Sequence, residues 1–254
     1  LRSKTIVVFI GPAGSGKSTL LYAYSKWLEE MFSYRVYKVN LDPAAEYIPY
    51  KPDFDVRGVI DIHKISIEYG LGPNGALVKS MDILSSKIDF IESLFRDVDS
   101  DFILIDTPGQ MEIFIFRDIA PRLIDVLKKV SRQFVVVFVV DADIIHRYED
   151  YAFIAIMSTA IQARLGADVV PVINKIDLVS IVDVIGDVVS DINIVAERLR
   201  NMGVYGEMMS NILNTIYLYA KAAKVPKVSA KTLENIEELH RIIHELTCAC
   251  GDLT

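Results

Sequence analysis

Two kinds of apolar block alternate along this chain. Short runs rich in β-branched residues, apolar on both faces, occupy Thr5–Ile10, 134–140 and Val169–Asn174, with shorter or more mixed runs at 35–40 and 102–105. Their length and two-sided hydrophobicity predict buried strands of a parallel sheet. Between them lie stretches with apolar residues three and four apart, which predict helices over Lys17–Phe32, 77–96, about 115–130, 147–165 and 235–246. A short helix is expected over 56–65, loops over 68–76 and 106–112, and proline-bearing irregular chain over 41–54. A long helical section spans about 181–223 and breaks near Gly203 and Gly206, and 227–228 reads as a last short strand. No Pro/Ser-rich or charged linker interrupts the alternation. The expected fold is therefore one α/β domain over 1–254, a mainly parallel central sheet flanked by helices in three layers, with a helical insertion at about 181–223.

Composition narrows the class. With 254 residues, 52% of them hydrophobic, the chain can bury a large core. A net charge of −7 lacks the basic excess that tracks phosphate backbones, so no direct nucleic-acid binding is expected. No apolar run reaches membrane-spanning length, and the first strand begins too early to leave room for a signal peptide, so no membrane association is expected. Two cysteines, Cys248 and Cys250, are too few for a disulfide framework and suit a cytoplasmic protein. His240 and His244 lie one helical turn apart just before them, which makes a four-ligand metal site conceivable; a surface helix end with two reduced thiols is the preferred reading.

Four motifs fall at strand ends, where a parallel sheet places its ligands. The first, Gly11-Pro12-Ala13-Gly14-Ser15-Gly16-Lys17-Ser18 followed by Thr19, joins the first strand to the first helix. Glycines there let backbone N–H groups curl round an anion, and the helix start adds more donors. Lys17 supplies charge to the β- and γ-phosphates and Ser18 a hydroxyl to Mg²⁺, which makes the segment a P-loop. The second, Asp106-Thr107-Pro108-Gly109-Gln110, puts a carboxylate where Mg²⁺ is held through water. Gly109 offers an N–H to the γ-phosphate, and Gln110 an amide that can orient an attacking water.

The third motif, Asn174-Lys175-Ile176-Asp177, is the guanine-reading signature. A carboxylate at Asp177 accepts from two guanine donors that adenine lacks, and a buried one left unpaired would be costly. The Lys175 stem can lie over the base, and Asn174 can brace the P-loop against the base pocket. The fourth, Ser229-Ala230-Lys231, matches the loop whose backbone N–H meets guanine O6. The expected ligands are GTP or GDP with Mg²⁺, Ser18 and Asp106 being the metal-side residues.

These motifs resemble the Ras-like and signal-recognition GTPases. Three segments narrow the resemblance: Asn40-Leu41-Asp42-Pro43-Ala44 after the second strand, Gly72-Pro73-Asn74 in a loop before a helix, and Gly109-Gln110-Met111-Glu112. Together they resemble the GPN-loop GTPases over nearly the whole chain, in the compact archaeal form. The resemblance implies a homodimer whose subunits face each other across the nucleotide sites. It implies that Asn74 of one subunit reaches the γ-phosphate of the other, and that Asp42, Gln110 and Glu112 help place the attacking water. It also implies a part in assembling a large complex, RNA polymerase being the leading association. The Met202–Met209 stretch and the apolar run 113–116 suit a partner surface, although packing in the core is the preferred reading for both. Three other readings stay open: a dimeric P-loop ATPase, a kinase that phosphorylates a substrate hydroxyl, and a GTP-binding scaffold with little turnover.

Overall fold

The computed structural model describes residues 4–145, 148–179, 192–219 and 225–248. Six strands form one sheet: β1 (Thr5–Ile10), β2 (Val36–Asn40), β3 (Phe54–Asp55), β4 (Phe102–Asp106), β5 (Phe134–Asp141) and β6 (Val169–Asn174). Their order is β3-β2-β4-β1-β5-β6 and every pairing is parallel. All positions of β1 are buried because alternate residues serve opposite faces. Ile6, Val8 and Ile10 pack into one apolar cluster, Val7 and Phe9 into another.

The second cluster is roofed by α1 (Lys17–Phe32) and by α10 (Ile236–Cys248), through Leu20, Leu21, Tyr24, Leu28, Leu239 and Ile243. On the other face lie α2 (Ile62–Tyr69), α3 (Pro73–Ser86), α4 (Ile88–Asp97), α5 (Met111–Phe116), α6 (Ile119–Val130) and α7 (Tyr148–Leu165). The three layers expected from the alternation are present.

Several boundaries differ for identifiable reasons. The expected helix over 77–96 is two helices separated at Lys87, and the first begins at Pro73. Gly72 is extended and Pro73 presets the helical φ at the first position, so the tripeptide expected in a loop opens α3 instead. Over 56–65 the chain makes a 3₁₀ turn, Val56–Gly58, and α2 starts later, capped by Asp61, which accepts from the His63 and Lys64 N–H groups. The helix expected at about 115–130 is split into α5 and α6, with Arg117 extended between them. The edge strand β3 has only two residues, too short to leave a sequence pattern. In the insertion, α8 (Ile192–Arg200) and α9 (Gly203–Tyr219) separate before Gly203, which has φ 78°. Gly206 does not break the chain; it lies inside α9, where a Cβ would collide with the Leu199 carbonyl oxygen of α8. The rest of the predicted insertion, 181–191 and 220–223, and Cys250 lie outside the described residues.

Candidate functional site

β1, β2, β4 and β6 all deliver their motifs to the carboxyl edge of the sheet. Immediately after β1 the chain turns through Gly11, where a Cβ would collide with the Val139 carbonyl oxygen of β5. Gly16 sits at φ 86° as the N-cap of α1, and a Cβ there would collide with the Asn174 side-chain amide. Two glycines thus let the loop press against β5 and against the start of the third motif. The helix start carries no side-chain cap and no acidic residue, so its N–H groups are not claimed by a side chain. Ala13 and Gly14 are exposed at the tip, Thr19 is exposed, and Ser18 is half-buried. Lys17 is buried and donates to the Pro12 carbonyl at 3.1 Å. Burial lowers its pKa, opposed by the charges of Asp106 and Asp42. Ser15 Oγ is buried with no partner.

Asp106 ends β4 at 2% exposure. Tyr50 donates its hydroxyl to Oδ2 at 3.1 Å, while Oδ1 is buried without a hydrogen-bond partner. The Ser18 side chain lies close enough to favour the charged form, though no hydrogen bond of ordinary geometry reaches Oδ1. Burial dominates and raises the carboxyl to about 6. The next residue, Thr107, donates to the Phe9 carbonyl at 2.8 Å and ties this loop to β1.

Asp42 comes off β2 half-buried. Its Oδ1 accepts from the Ala44 N–H at 2.9 Å and its Oδ2 from the Gly109 N–H at 3.3 Å. Burial raises its pKa against these hydrogen bonds and the Lys17 charge. The Gly109 N–H, expected to be open to a phosphate, is therefore held by Asp42. Gly109 itself lies close against Ala13, joining the two phosphate-side loops. Asn40 fixes the Asp42 backbone in both directions, accepting from its N–H at 3.0 Å and donating to its carbonyl at 3.2 Å. Asn40 also donates to Asp55 at 3.0 Å, and Arg57 clamps Asp55 and the Ala45 carbonyl.

Asn174 is the hub of the base side. Buried at 1% exposure, it donates to the Ser15 carbonyl at 3.1 Å and accepts from the Ala230 N–H at 3.1 Å. One side chain thereby links three of the four motifs' loops, as expected of a brace. The Ala230 N–H is consequently engaged, so an O6 contact from this loop must come from another N–H or follow release of that bond. Lys175 adopts φ 68°, and its ammonium pairs with Asp141 at 2.6 Å. Asp177 accepts the buried Ser229 hydroxyl at 2.6 Å. The expectation of a buried Asp177 needs correction: it sits on the 3₁₀ turn Ile176–Leu178 and is exposed. Lys231 is exposed as well.

At the outer edge, Gln110 donates through Nε2 to Asn74 Oδ1 at 2.8 Å. Both belong to this one chain, and Asn74 is exposed in the first turn of α3. Glu112 is exposed in the first turn of α5, with no hydrogen bond to Asp42 or Gln110. In the run that follows, Phe114 and Ile115 are core, whereas Phe116 is 71% exposed. Sequence reasoning missed Tyr50, Asp141 and the Asp55–Arg57 pair, and gave Asn40 no role beyond its place in the second-strand segment. Asp141 was findable as the polar end of an apolar strand; Tyr50 sits in proline-bearing chain with no periodicity to mark it. Among the described residues, no group of three or more His, Cys, Asp or Glu could by itself hold a metal. His244 Nε2 contacts Cys248 Sγ at 3.3 Å, while His240 Nδ1 meets the Tyr24 hydroxyl at 2.8 Å.

Comparison with known proteins follows the same lines. The sequence model of a family described as "Conserved hypothetical ATP binding protein" matches residues 9–249. A GPN-loop GTPase of Pyrococcus abyssi is 37% identical over 254 residues, covering 98% of this chain and 100% of that protein. A crystal structure of a GTPase in apo form from the same organism superposes with a TM-score of 0.87 at 35% identity, covering 97% of this chain and 98% of that one. GPN-loop GTPase 3 of Dictyostelium discoideum is 33% identical over 180 residues, 71% of this chain and 63% of that protein.

Proposed function

The chain belongs to the GPN-loop GTPase family, and from that membership we infer that it hydrolyses GTP to GDP and phosphate and works as a homodimer. The observation that carries the nucleotide reading is the Asn174 hub, which holds the phosphate loop and the Asp177–Ser229 pair in one frame. Although the matching family's description names ATP, the paired acceptor oxygens at Asp177 suit the adjacent N1–H and 2-amino donors of guanine, a pair that adenine does not present. With Ser229 on Oδ1, the carboxylate is turned in place before the base arrives.

Mg²⁺ fits the other end. Ser18 and Asp106 would hold it, Asp106 through water at its unpartnered Oδ1. So few protein oxygens suit a cation that keeps most of its waters. Bound there, Mg²⁺ would supply charge neutralisation for the β- and γ-phosphates. The protein's own part is positioning and electrostatics. Lys17, already buried beside Asp106 and Asp42, exchanges its bond to Pro12 for phosphate oxygens. Asp42 gives up the Gly109 N–H to the γ-phosphate and is then free to accept from the attacking water.

For Asn74 two readings compete. In the first it serves the partner's site. Gln110 claims its Oδ1, which leaves the Nδ2 donor of this exposed residue without a hydrogen bond among the described residues. In the second, favoured by the same bond, Asn74 steadies Gln110 in its own site. We hold to the first, because an exposed side chain with a donor left over after its bond to Gln110 fits the family's facing dimer. A neutral amide stabilises less charge than an arginine finger, itself worth about 10³–10⁵ in rate, so turnover is expected to be slow. Mixing Lys17→Ala and Asn74→Ala chains separates the readings. Under the trans reading each mixed dimer holds one complete site, and hydrolysis recovers over either variant alone. No recovery means that Asn74 acts in cis.

A part in assembling a large complex such as RNA polymerase, in the cytoplasm, rests on family resemblance alone. Affinity capture with the chain locked in its GTP-bound state tests it. No helix among the described residues is long and apolar enough to cross a membrane.

A further inference from the structure

The side chain that the mechanism leaves unused yet touches the metal end is Tyr50. It lies 56 residues before Asp106 in sequence, in the chain between β2 and β3. It is 6% exposed, with its ring in the apolar cluster beneath α1. The hydroxyl is the one polar atom of that side chain, and it is spent on Asp106 Oδ2 at 3.1 Å. A carboxylate is planar, so a fixed Oδ2 also fixes Oδ1, the oxygen left buried and unpartnered. The same segment grips Asp106 a second time, since the Leu41 N–H donates to the Asp106 backbone carbonyl at 2.9 Å. Asp106 is thus held at its backbone and at one carboxylate oxygen by the chain that also carries Asp42.

We propose that Tyr50 is a positioning residue for the metal: its hydroxyl locks the rotation of the Asp106 carboxylate so that Oδ1 is presented to a Mg²⁺-bound water. Partners that orient a metal-side group from behind are worth about 10–100-fold in metal affinity. A tyrosine suits this post because the ring is anchored by apolar packing, and the hydroxyl reaches the carboxylate without a second charge. A phenylalanine would fill the same space and leave the carboxylate free to turn. The idea rests on Asp106 being the Mg²⁺-side carboxylate, so the test must separate the two.

Release of a fluorescent GDP analogue is measured across a Mg²⁺ series and in EDTA, for wild type, Tyr50→Phe, Asp106→Asn and the double variant. In wild type, Mg²⁺ slows release. In Tyr50→Phe the Mg²⁺ midpoint rises about tenfold, while release in EDTA matches wild type. In the Asp106→Asn background, adding Tyr50→Phe changes nothing further, because the two act as one unit. An unchanged midpoint in Tyr50→Phe, beside a Mg²⁺-dependent wild type, overturns the role of Tyr50 alone. So does an equally large change in EDTA, which would mark Tyr50 as packing for the phosphate loop. A wild type indifferent to Mg²⁺ overturns the reading of Asp106, and Tyr50's role with it.

Discussion

Two aspartates, each at or just past a strand end, anchor opposite ends of the same site, and each accepts a hydroxyl: Asp106 from Tyr50 at 3.1 Å, Asp177 from Ser229 at 2.6 Å. Their settings diverge. Asp106 is 2% exposed, its carboxyl raised to about 6 by burial; Asp177 stands exposed on a 3₁₀ turn. The phosphate end is therefore built by the core of the fold, with desolvation already suffered before any ligand arrives. On the function proposed above, its charged groups are mismatched alone and become matched when phosphate and metal bind. The base end works the other way. A hydrogen-bonded frame sets Asp177 in place, and on the same proposal the base itself supplies the burial. Preorganisation at one end and completion by ligand at the other divide the labour of affinity and selectivity.

The largest effect should fall on the core-built end. Lys17→Ala removes the buried ammonium that faces Asp106 and Asp42. Charge-assisted bonds to phosphate are lost, and affinity for GTP should drop about 100-fold or more. Equilibrium titration with labelled GTP measures it; full retained affinity would mean that the loop does not bind the triphosphate.

A matched pair of substitutions tests the division itself. Asp106→Asn removes a carboxylate that is buried without enough partners, so the metal-free fold should gain about 1–3 kcal/mol while Mg²⁺ dependence is lost. Asp177→Asn touches an exposed group and should leave stability within about 0.5 kcal/mol. Its effect appears instead as a weakened preference for GTP over ATP, by about tenfold or more. Urea unfolding without Mg²⁺ reads the two stabilities, nucleotide release with and without Mg²⁺ the metal dependence, and competition between the two nucleotides the base preference. Equal stability changes at both positions would erase the contrast drawn above.

How legible each end was in the sequence follows the same contrast. The phosphate loop, Asp106 and Asn174 lie at the ends of strands whose apolar runs bound them closely, so their positions and mutual contacts could be read from order and spacing. The proline-bearing chain from 41 to 54 carries no period, and Tyr50 was invisible there because its partner is 56 residues away. Sequence puts Asn74 in a loop because glycine and proline read as punctuation. Here Gly72 and Pro73 start a helix instead. The exposure of Asp177 is not legible in the sequence, because a motif reports which atoms meet a ligand, not how open the pocket stands without it. Likewise, Gly109 looked like a free donor; only the fold brings Asp42 onto it.

The smallest effect concerns neither end, and serves as the control for both. His240 lies at the amino edge of the sheet, beside Phe102, the first residue of β4, and Trp27 and Phe32 near the far end of α1. Its ring centroid is 5.0 Å from that of Trp27, and Nδ1 meets the Tyr24 hydroxyl at 2.8 Å. Burial, then the charge of His244, lowers its pKa to about 4. An unfolded histidine titrates near 6.5. Above that pH both states are neutral and the full contribution is present. As pH falls from about 6.5 towards 4, the unfolded chain takes a proton that the folded chain refuses, and stability is lost across that window. Thermal unfolding of wild type and His240→Gln should therefore diverge in slope between pH 7 and 4, the variant falling less steeply. GTP affinity at pH 7 should be the same in both, because the aromatic cluster sits a full strand length from the phosphate loop. Parallel melting curves would mean that His240 titrates in the fold as it does in the open chain, and that the aromatic cluster holds it without desolvating it.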